Sequence, residues 1–184
     1  MLDRIALITG NAGKAAEYAA MLGIEVTPAK AELTEVQSLD VAVVAARKAA
    51  DAYAQLREPV LVDDTGLTIH AWNGLPGALV AWFLDTVGPH GILDMAQPLT
   101  DRRATVTTAL GYADATGVRV FTGTVNGSLA SQPLGTNGFG YDPIFIPDND
   151  PGHRTYAQMT SEEKNKISHR RRAVEEMRNS LGLE

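Results

Sequence analysis

The sequence predicts an α/β domain. Short apolar, β-prone runs interleave with helix-prone runs along the whole chain. The middle adds Thr/Val/Phe alternation on both sides of an Asp-Ala-Thr-Gly stretch, a pattern of paired antiparallel strands. At 184 residues, with 45% hydrophobic residues and 21% charged, the chain is long enough to bury a substantial core. Neither an internal repeat nor a linker is visible, so residues 1–184 are expected to form one domain.

Taken in order, residues 4–9 (RIALIT) read as a buried strand ending at Gly10, and residues 15–22 as a helix stopped by Gly23. A short strand is expected at 24–27. The alanine-rich run 41–56 reads as a helix with Ser38 or Asp40 as its N-cap. After Pro59, the apolar residues 60–62 make a short strand that runs into Asp63 and Asp64. Residues 79–87 and 91–95 read as helical. Residues 103–112 and 118–129 form the antiparallel pair, with Asn126-Gly127 marking another turn or a bulge. The last helix spans 161–181 with a break near Ser168, and Thr160 followed by Glu163 fits a capping box.

Charge and composition exclude several classes. A formal charge of -6 argues against general affinity for a nucleic-acid backbone, which needs clustered Lys and Arg. No stretch is long and apolar enough to span a bilayer, and the first apolar run is too short for a signal peptide. A cytoplasmic address is therefore expected. The absence of cysteine excludes disulfides and thiolate metal sites.

Four segments could carry chemistry. The first, Thr9-Gly10-Asn11-Ala12-Gly13-Lys14, lies between a strand and a helix. Close backbone approach, free helix N–H groups and a lysine charge suit a polyphosphate; the alternative is an ordinary turn. Its spacing is neither that of a Walker A loop nor GxGxxG. The second, Val62-Asp63-Asp64-Thr65-Gly66, places carboxylates where a hard cation could bind, or else forms an Asp-rich turn. Neighbouring strand residues face opposite ways, so the two aspartates do not easily share one ion. The third, Gly138-Phe139-Gly140-Tyr141-Asp142-Pro143, either exposes an aromatic face for stacking on a base or plugs the core with Phe139 or Tyr141. The fourth is the basic run 164–172, a solvated helix face or a positive site. Lys164 and Arg170 offer only donors and, facing a purine, would favour a keto oxygen at C6 over an amine.

These segments together resemble the inosine triphosphate pyrophosphatase family, also described as the dITP/XTP pyrophosphatases. The likeness is carried by TGNAGK, LTEVQ (33–37), VDDTGL (62–67), NGLPG (73–77), GFGYDPIF (138–145) and TYAQMTSEEKNKISHR (155–170), and spans nearly the full chain. It implies an elongated fold with a long mixed sheet flanked by helices, two lobes with a cleft between them, and a homodimer. It also implies hydrolysis of deaminated purine nucleoside triphosphates (ITP, dITP, XTP) to a monophosphate and pyrophosphate, which removes them from the nucleotide pool. By this resemblance Thr9, Gly10, Asn11, Ala12, Gly13 and Lys14 bind the triphosphate, Lys48 contacts phosphate and Thr65 contacts substrate. Glu35 and Asp64 are implied as the Mg²⁺ carboxylates, Asp64 being also the catalytic residue. Phe139, Gly140, Tyr141, Asp142, Lys164, His169 and Arg170 are implied as the base-recognition group. One departure is Ala81 before Trp82-Phe83, where some members carry lysine; Trp82 and Phe83 belong to a subunit interface or to the core. A nucleotide sensor that binds without cleaving, or a related hydrolase acting on other modified nucleotides, is the competing expectation.

Overall fold

A computed structural model describes residues 2–9 and 12–183. Its elements are β1 (Arg4–Ile8), α1 (Ala12–Leu22), β2 (Glu25–Ala29), α2 (Val41–Leu56), β3 (Val60–Ile69), β4 (Pro76–Gly77), α3 (Val80–Thr86), α4 (Gly88–Ala96), β5 (Arg103–Asp114), β6 (Gly117–Leu129), β7 (Phe145–Pro147), α5 (Ser161–Ile167) and α6 (His169–Leu181). The strands form one mixed sheet in the order β2-β1-β3-β5-β6-β7, with β4 beside β3. The pairings β1–β2 and β1–β3 are parallel, and the others antiparallel. Among the described residues no helix is long and apolar enough to cross a membrane.

Helix α2 matches its expected limits, with Asp40 as the cap: its carboxylate accepts from the Ala42 N–H at 2.8 Å. Strand β2 reaches Ala29 and includes Pro28; as the outermost strand it tolerates a residue with no N–H to donate. Strand β3 corrects the expectation of a short run ending at the aspartates. It continues to Ile69, paired with β5 at all ten positions, so Asp63 and Asp64 sit inside a strand. Asn126-Gly127 is neither turn nor bulge, because both residues pair regularly with Thr105 and Ala104. Gly127 is there for space: a Cβ would come within 2.1 Å of the Ile146 carbonyl oxygen.

Helices pack on both faces. On one, α1 and α6 cover Ile5, Leu7, Leu61, Leu110 and Phe121 with Tyr18, Val174 and Met177. On the other, the alanines of α2 lie against Ala6, Val60, Val62, Ala109 and Ala113. That approach is close enough that a Cβ on Gly111 would come within 2.3 Å of the Ala45 carbonyl oxygen. Farther along, Leu67, Ile69, Val106 and Val125 form another cluster with α4 and with Phe145 and Tyr156. Strands β5 and β6, of 12 and 13 residues, extend about 40 Å and run through all of it.

The sheet has a gap that positions the site. Strand β1 pairs with β3 only at Val60 and Leu61, and β4 joins the same edge at Leu67 and Thr68. Between these, the edge of β3 at 62–66 has no strand partner among the described residues. The two aspartates and Thr65 lie in that opening, beside the carboxyl end of β1, where α/β sheets bind ligands.

Candidate active site

A cavity of about 310 Å³ opens at this gap. Its walls come from both halves of the chain: Glu35, Lys48, Asp63, Asp64 and Thr65 from the first, Phe139–Asp142, Lys164, His169 and Arg170 from the second. Ala81 lines it as well. Of the predicted loop, Thr9 directly follows β1 and its N–H donates to the Ala29 carbonyl, while Ala12, Gly13 and Lys14 make the first turn of α1. Gly10, Asn11 and the side chain of Lys14 lie outside the described residues.

The pleat separates the aspartates, as expected. Asp64 points to the α2 face, where the Lys48 ammonium donates to its Oδ1 at 2.9 Å and to Glu35 at 3.0 Å. Glu35 is brought there by the segment preceding α2, whose Thr34 N–H donates to Asp51 on that helix. Burial pushes the Asp64 carboxyl above its ordinary value, and the Lys48 charge only partly offsets it. Burial pulls Lys48 down, but its two carboxylates outweigh it and hold the ammonium above its usual range. The second Asp64 oxygen, Oδ2, is buried with no hydrogen-bond partner among the described residues.

Asp63 points to the opposite face. Its Oδ2 accepts from the Tyr18 hydroxyl at 3.3 Å and lies 3.5 Å from Arg170 Nη2. Sequence reasoning missed both Tyr18 and this role for Asp63.

At the far wall, Asp142 is buried and its Oδ2 accepts from Lys164 at 2.5 Å and from the Phe139 N–H at 2.9 Å. Gly138 permits that turn: its φ is +73°, and a Cβ would touch the Asp142 carboxylate. The two aromatic residues divide the roles left open. Phe139 is 56% exposed at the cavity, whereas Tyr141 is 6% exposed and plugs the core. The Tyr141 hydroxyl is 3.0 Å from His169 Nε2. The Lys164 ammonium and Arg170 guanidinium lie 5.0 and 5.7 Å from the centre of the Phe139 ring. Burial drives His169 well below its usual value, assisted by the Arg170 and Lys164 charges, so its imidazole is neutral. Burial also lowers Lys164, against the pull of Asp142.

The basic run is therefore not one solvated face. Lys164, His169 and Arg170 turn inward, while Lys166 and Arg171 pair with Glu162 and Glu175 on the surface. Arg172 donates to the Thr124 carbonyl on the edge of β6. His169 and Arg170 follow directly on the helix break at Ser168, whose hydroxyl caps α6. Trp82 is exposed and Phe83 half-buried against Trp72.

The Ham1 family pattern matches residues 5–180. The chain is 42% identical to a dITP/XTP pyrophosphatase of Hyperthermus butylicus, over 96% of this chain and 94% of that protein. It is 40% identical to inosine triphosphate pyrophosphatase 2 of Trypanosoma cruzi, over 93% of this chain and 88% of that one. Among solved structures, the Ham1 protein of Staphylococcus aureus superposes with a TM-score of 0.87 at 30% identity, covering 97% of this chain and 98% of the other.

Proposed function

The chain belongs to the Ham1 family, and from that premise we propose that it hydrolyses deaminated purine nucleoside triphosphates (ITP, dITP and XTP) to the monophosphate and pyrophosphate. The observation that carries the reading is one cavity with two chemistries. A half-buried carboxylate, one of whose oxygens has no hydrogen-bond partner among the described residues, stands at one wall, and an exposed aromatic ring beside two cations at the other. The named activities of the Hyperthermus and Trypanosoma relatives support the same conclusion.

Asp64 and Glu35 are the residues that would hold Mg²⁺. Asp64 Oδ2, without a hydrogen-bond partner among the described residues, fits a cation, and Mg²⁺ is commonly bound by one or two carboxylates plus substrate phosphates. Among the described residues no cluster of three or more His, Asp or Glu side chains would cage an ion alone, which agrees with phosphates and water supplying the other ligands. When bound, the ion supplies charge neutralisation for the phosphate oxygens.

Residues 9–14, including Lys14, and Lys48 hold the triphosphate, while Thr65 contacts substrate at the gap. Asp64 orients the water that attacks the α-phosphorus. The bond from that phosphorus to the bridging oxygen breaks, pyrophosphate leaves and the proton of the water passes to solvent. Phe139 stacks on the base, Gly140, Tyr141, Asp142 and His169 shape its slot, and Lys164 and Arg170 donate to keto oxygens. An exocyclic amine there leaves buried donors unpaired, at about 1–3 kcal/mol each. Two such mismatches give selection on the order of a hundredfold. We place the activity in one domain and expect a homodimer, which light scattering checks.

The test is a panel of ITP, dITP, XTP, GTP and ATP with Mg²⁺, products identified as monophosphate and pyrophosphate. The expected result is kcat/KM for the deaminated purines on the order of a hundredfold above ATP. Release of orthophosphate instead of pyrophosphate, tight binding without turnover, or equal rates for ITP and ATP would overturn the reading.

A further inference from the structure

At the cavity wall lies a buried triad of which the chemistry above uses only Arg170. Arg170 Nε donates to the Tyr18 hydroxyl at 3.2 Å, Tyr18 donates to Asp63 Oδ2 at 3.3 Å, and Arg170 Nη2 lies 3.5 Å from that same oxygen. Tyr18 is 0% exposed and Arg170 4%. The triad joins three elements: Tyr18 on α1, Asp63 on β3 and Arg170 on the first turn of α6. Asp63 and Arg170 line the cavity, and Tyr18 does not.

We propose that Tyr18 and Asp63 are positioning residues for base selection, holding the Arg170 guanidinium in one orientation beneath Phe139. The inference rests on the reading above that Arg170 faces the base. A guanidinium carries five N–H donors in a rigid fork. Two are directed at Tyr18 and Asp63, which fixes the plane and aims the remaining donors. Glu17 sits 3.9 Å from Nη1, too far for a hydrogen bond and so a weaker restraint.

Rigidity is what discrimination needs here. A mobile arginine swings away from an adenine amine and regains water, so the mismatch costs little. A locked one cannot turn aside, and its donors stay unpaired. Releasing the lock therefore relaxes selectivity more than it slows the reaction.

Tyr18→Phe tests this, because it keeps the buried ring and removes only the hydroxyl. The ITP-to-ATP ratio of kcat/KM is expected to fall about tenfold, through a raised KM for ITP and a better ATP reaction, with kcat for ITP nearly unchanged. A purely structural role lowers the melting temperature and reduces both substrates' kcat together, leaving the ratio intact; that outcome overturns the proposal. In an Arg170→Ala background, Tyr18→Phe is expected to change the ratio no further. An undiminished further drop there shows that Tyr18 does not act through Arg170, and also overturns it. The two readings fail separately: a wild-type protein with no preference for ITP defeats the proposed function, whereas a preference that survives Tyr18→Phe defeats only the lock.

Discussion

The two faces of β3 handle buried charge differently. On the α1/α6 face, Asp63 shares its carboxylate with Tyr18 and Arg170, and Asp142 accepts from Lys164 and a backbone N–H. Among the described residues the buried side-chain atoms left without a hydrogen-bond partner there are His169 Nδ1, Tyr156 OH, Thr108 Oγ1 and, over the Tyr112 ring, Arg119 Nε, but no carboxylate oxygen. On the α2 face, one ammonium is divided between Glu35 and Asp64, and a carboxylate oxygen is left buried without a hydrogen-bond partner among the described residues. Leaving such a group unmatched is costly. The difference teaches that the Phe139 wall carries its own counter-charges, whereas the Asp64 wall leaves one carboxylate oxygen unmatched among the described residues.

The largest effect tests the self-sufficient side. Lys164→Met leaves Asp142 buried without its counter-ion, and breaking such a pair costs about 3 kcal/mol or more. For a chain of this length that lowers the melting temperature by about 10 °C. Because burial already holds the Lys164 ammonium below its usual range, the loss arises from the orphaned carboxylate. A scanning-calorimetry melt within 2–3 °C of wild type breaks the comparison.

Asp64→Asn is the matching test of the other face. Turnover of ITP is expected to fall about a hundredfold or more, while the melting temperature stays level or rises. The sign follows from the raised carboxyl pKa: the fold disfavours the ionised form, so a neutral isostere relieves it. Mg²⁺ at a hundred times its dissociation constant should stabilise the wild type by about 2.7 kcal/mol and leave the variant unmoved. Equal stabilisation of both proteins removes Asp64 from the metal site.

Much of this architecture was legible because it is local. The α2 limits follow from an alanine-rich run behind Asp40, and the break at Ser168 and the Thr160–Glu163 capping box lie within a few residues of what they cap. The pleat also separates Asp63 from Asp64 without any knowledge of the fold. What could not be read depends on distant partners. Asp63 meets Tyr18 across 45 positions and Arg170 across 107, and no spacing rule reaches that far. The extension of β3 through two aspartates is a tertiary effect, since pairing with β5 and side-chain partners on both faces outweigh the low strand propensity of Asp. Likewise, Gly127 looks like a turn residue until Ile146 fills the space where its Cβ would be.

A smaller effect concerns the neutral imidazole on the Phe139 side of the cavity. His169 titrates well below an unfolded histidine because it is buried beside two cations. Below about pH 6.5 the unfolded chain takes up a proton there that the folded chain refuses, so stability falls with pH; above that value the contribution is constant. One such proton gives a slope of at most about 1.4 kcal/mol per pH unit. Urea unfolding at pH 6.5 and 5.5 should show His169→Gln losing about 1 kcal/mol less than wild type over that interval. Identical losses place the proton uptake elsewhere.

The finest distinction lies in how α6 is aimed. Ser168 sits in extended geometry, with φ −74° and ψ 159°, and its hydroxyl accepts from the Arg171 N–H at 3.2 Å. That cap turns the helix so that its first two residues, His169 and Arg170, reach the cavity while Arg171 and Arg172 engage Glu175 and the edge of β6. Ser168→Ala removes the cap and should cost about 1 kcal/mol, whereas Ser168→Thr keeps an acceptor oxygen. If the cap also aims the base wall, the alanine variant lowers the ITP-to-ATP ratio a few-fold and leaves the Mg²⁺-induced rise in melting temperature intact. A loss of Mg²⁺ response with selectivity unchanged would show the opposite coupling. The two faces of β3 would then answer to the same helix, and the separation drawn between them would not hold.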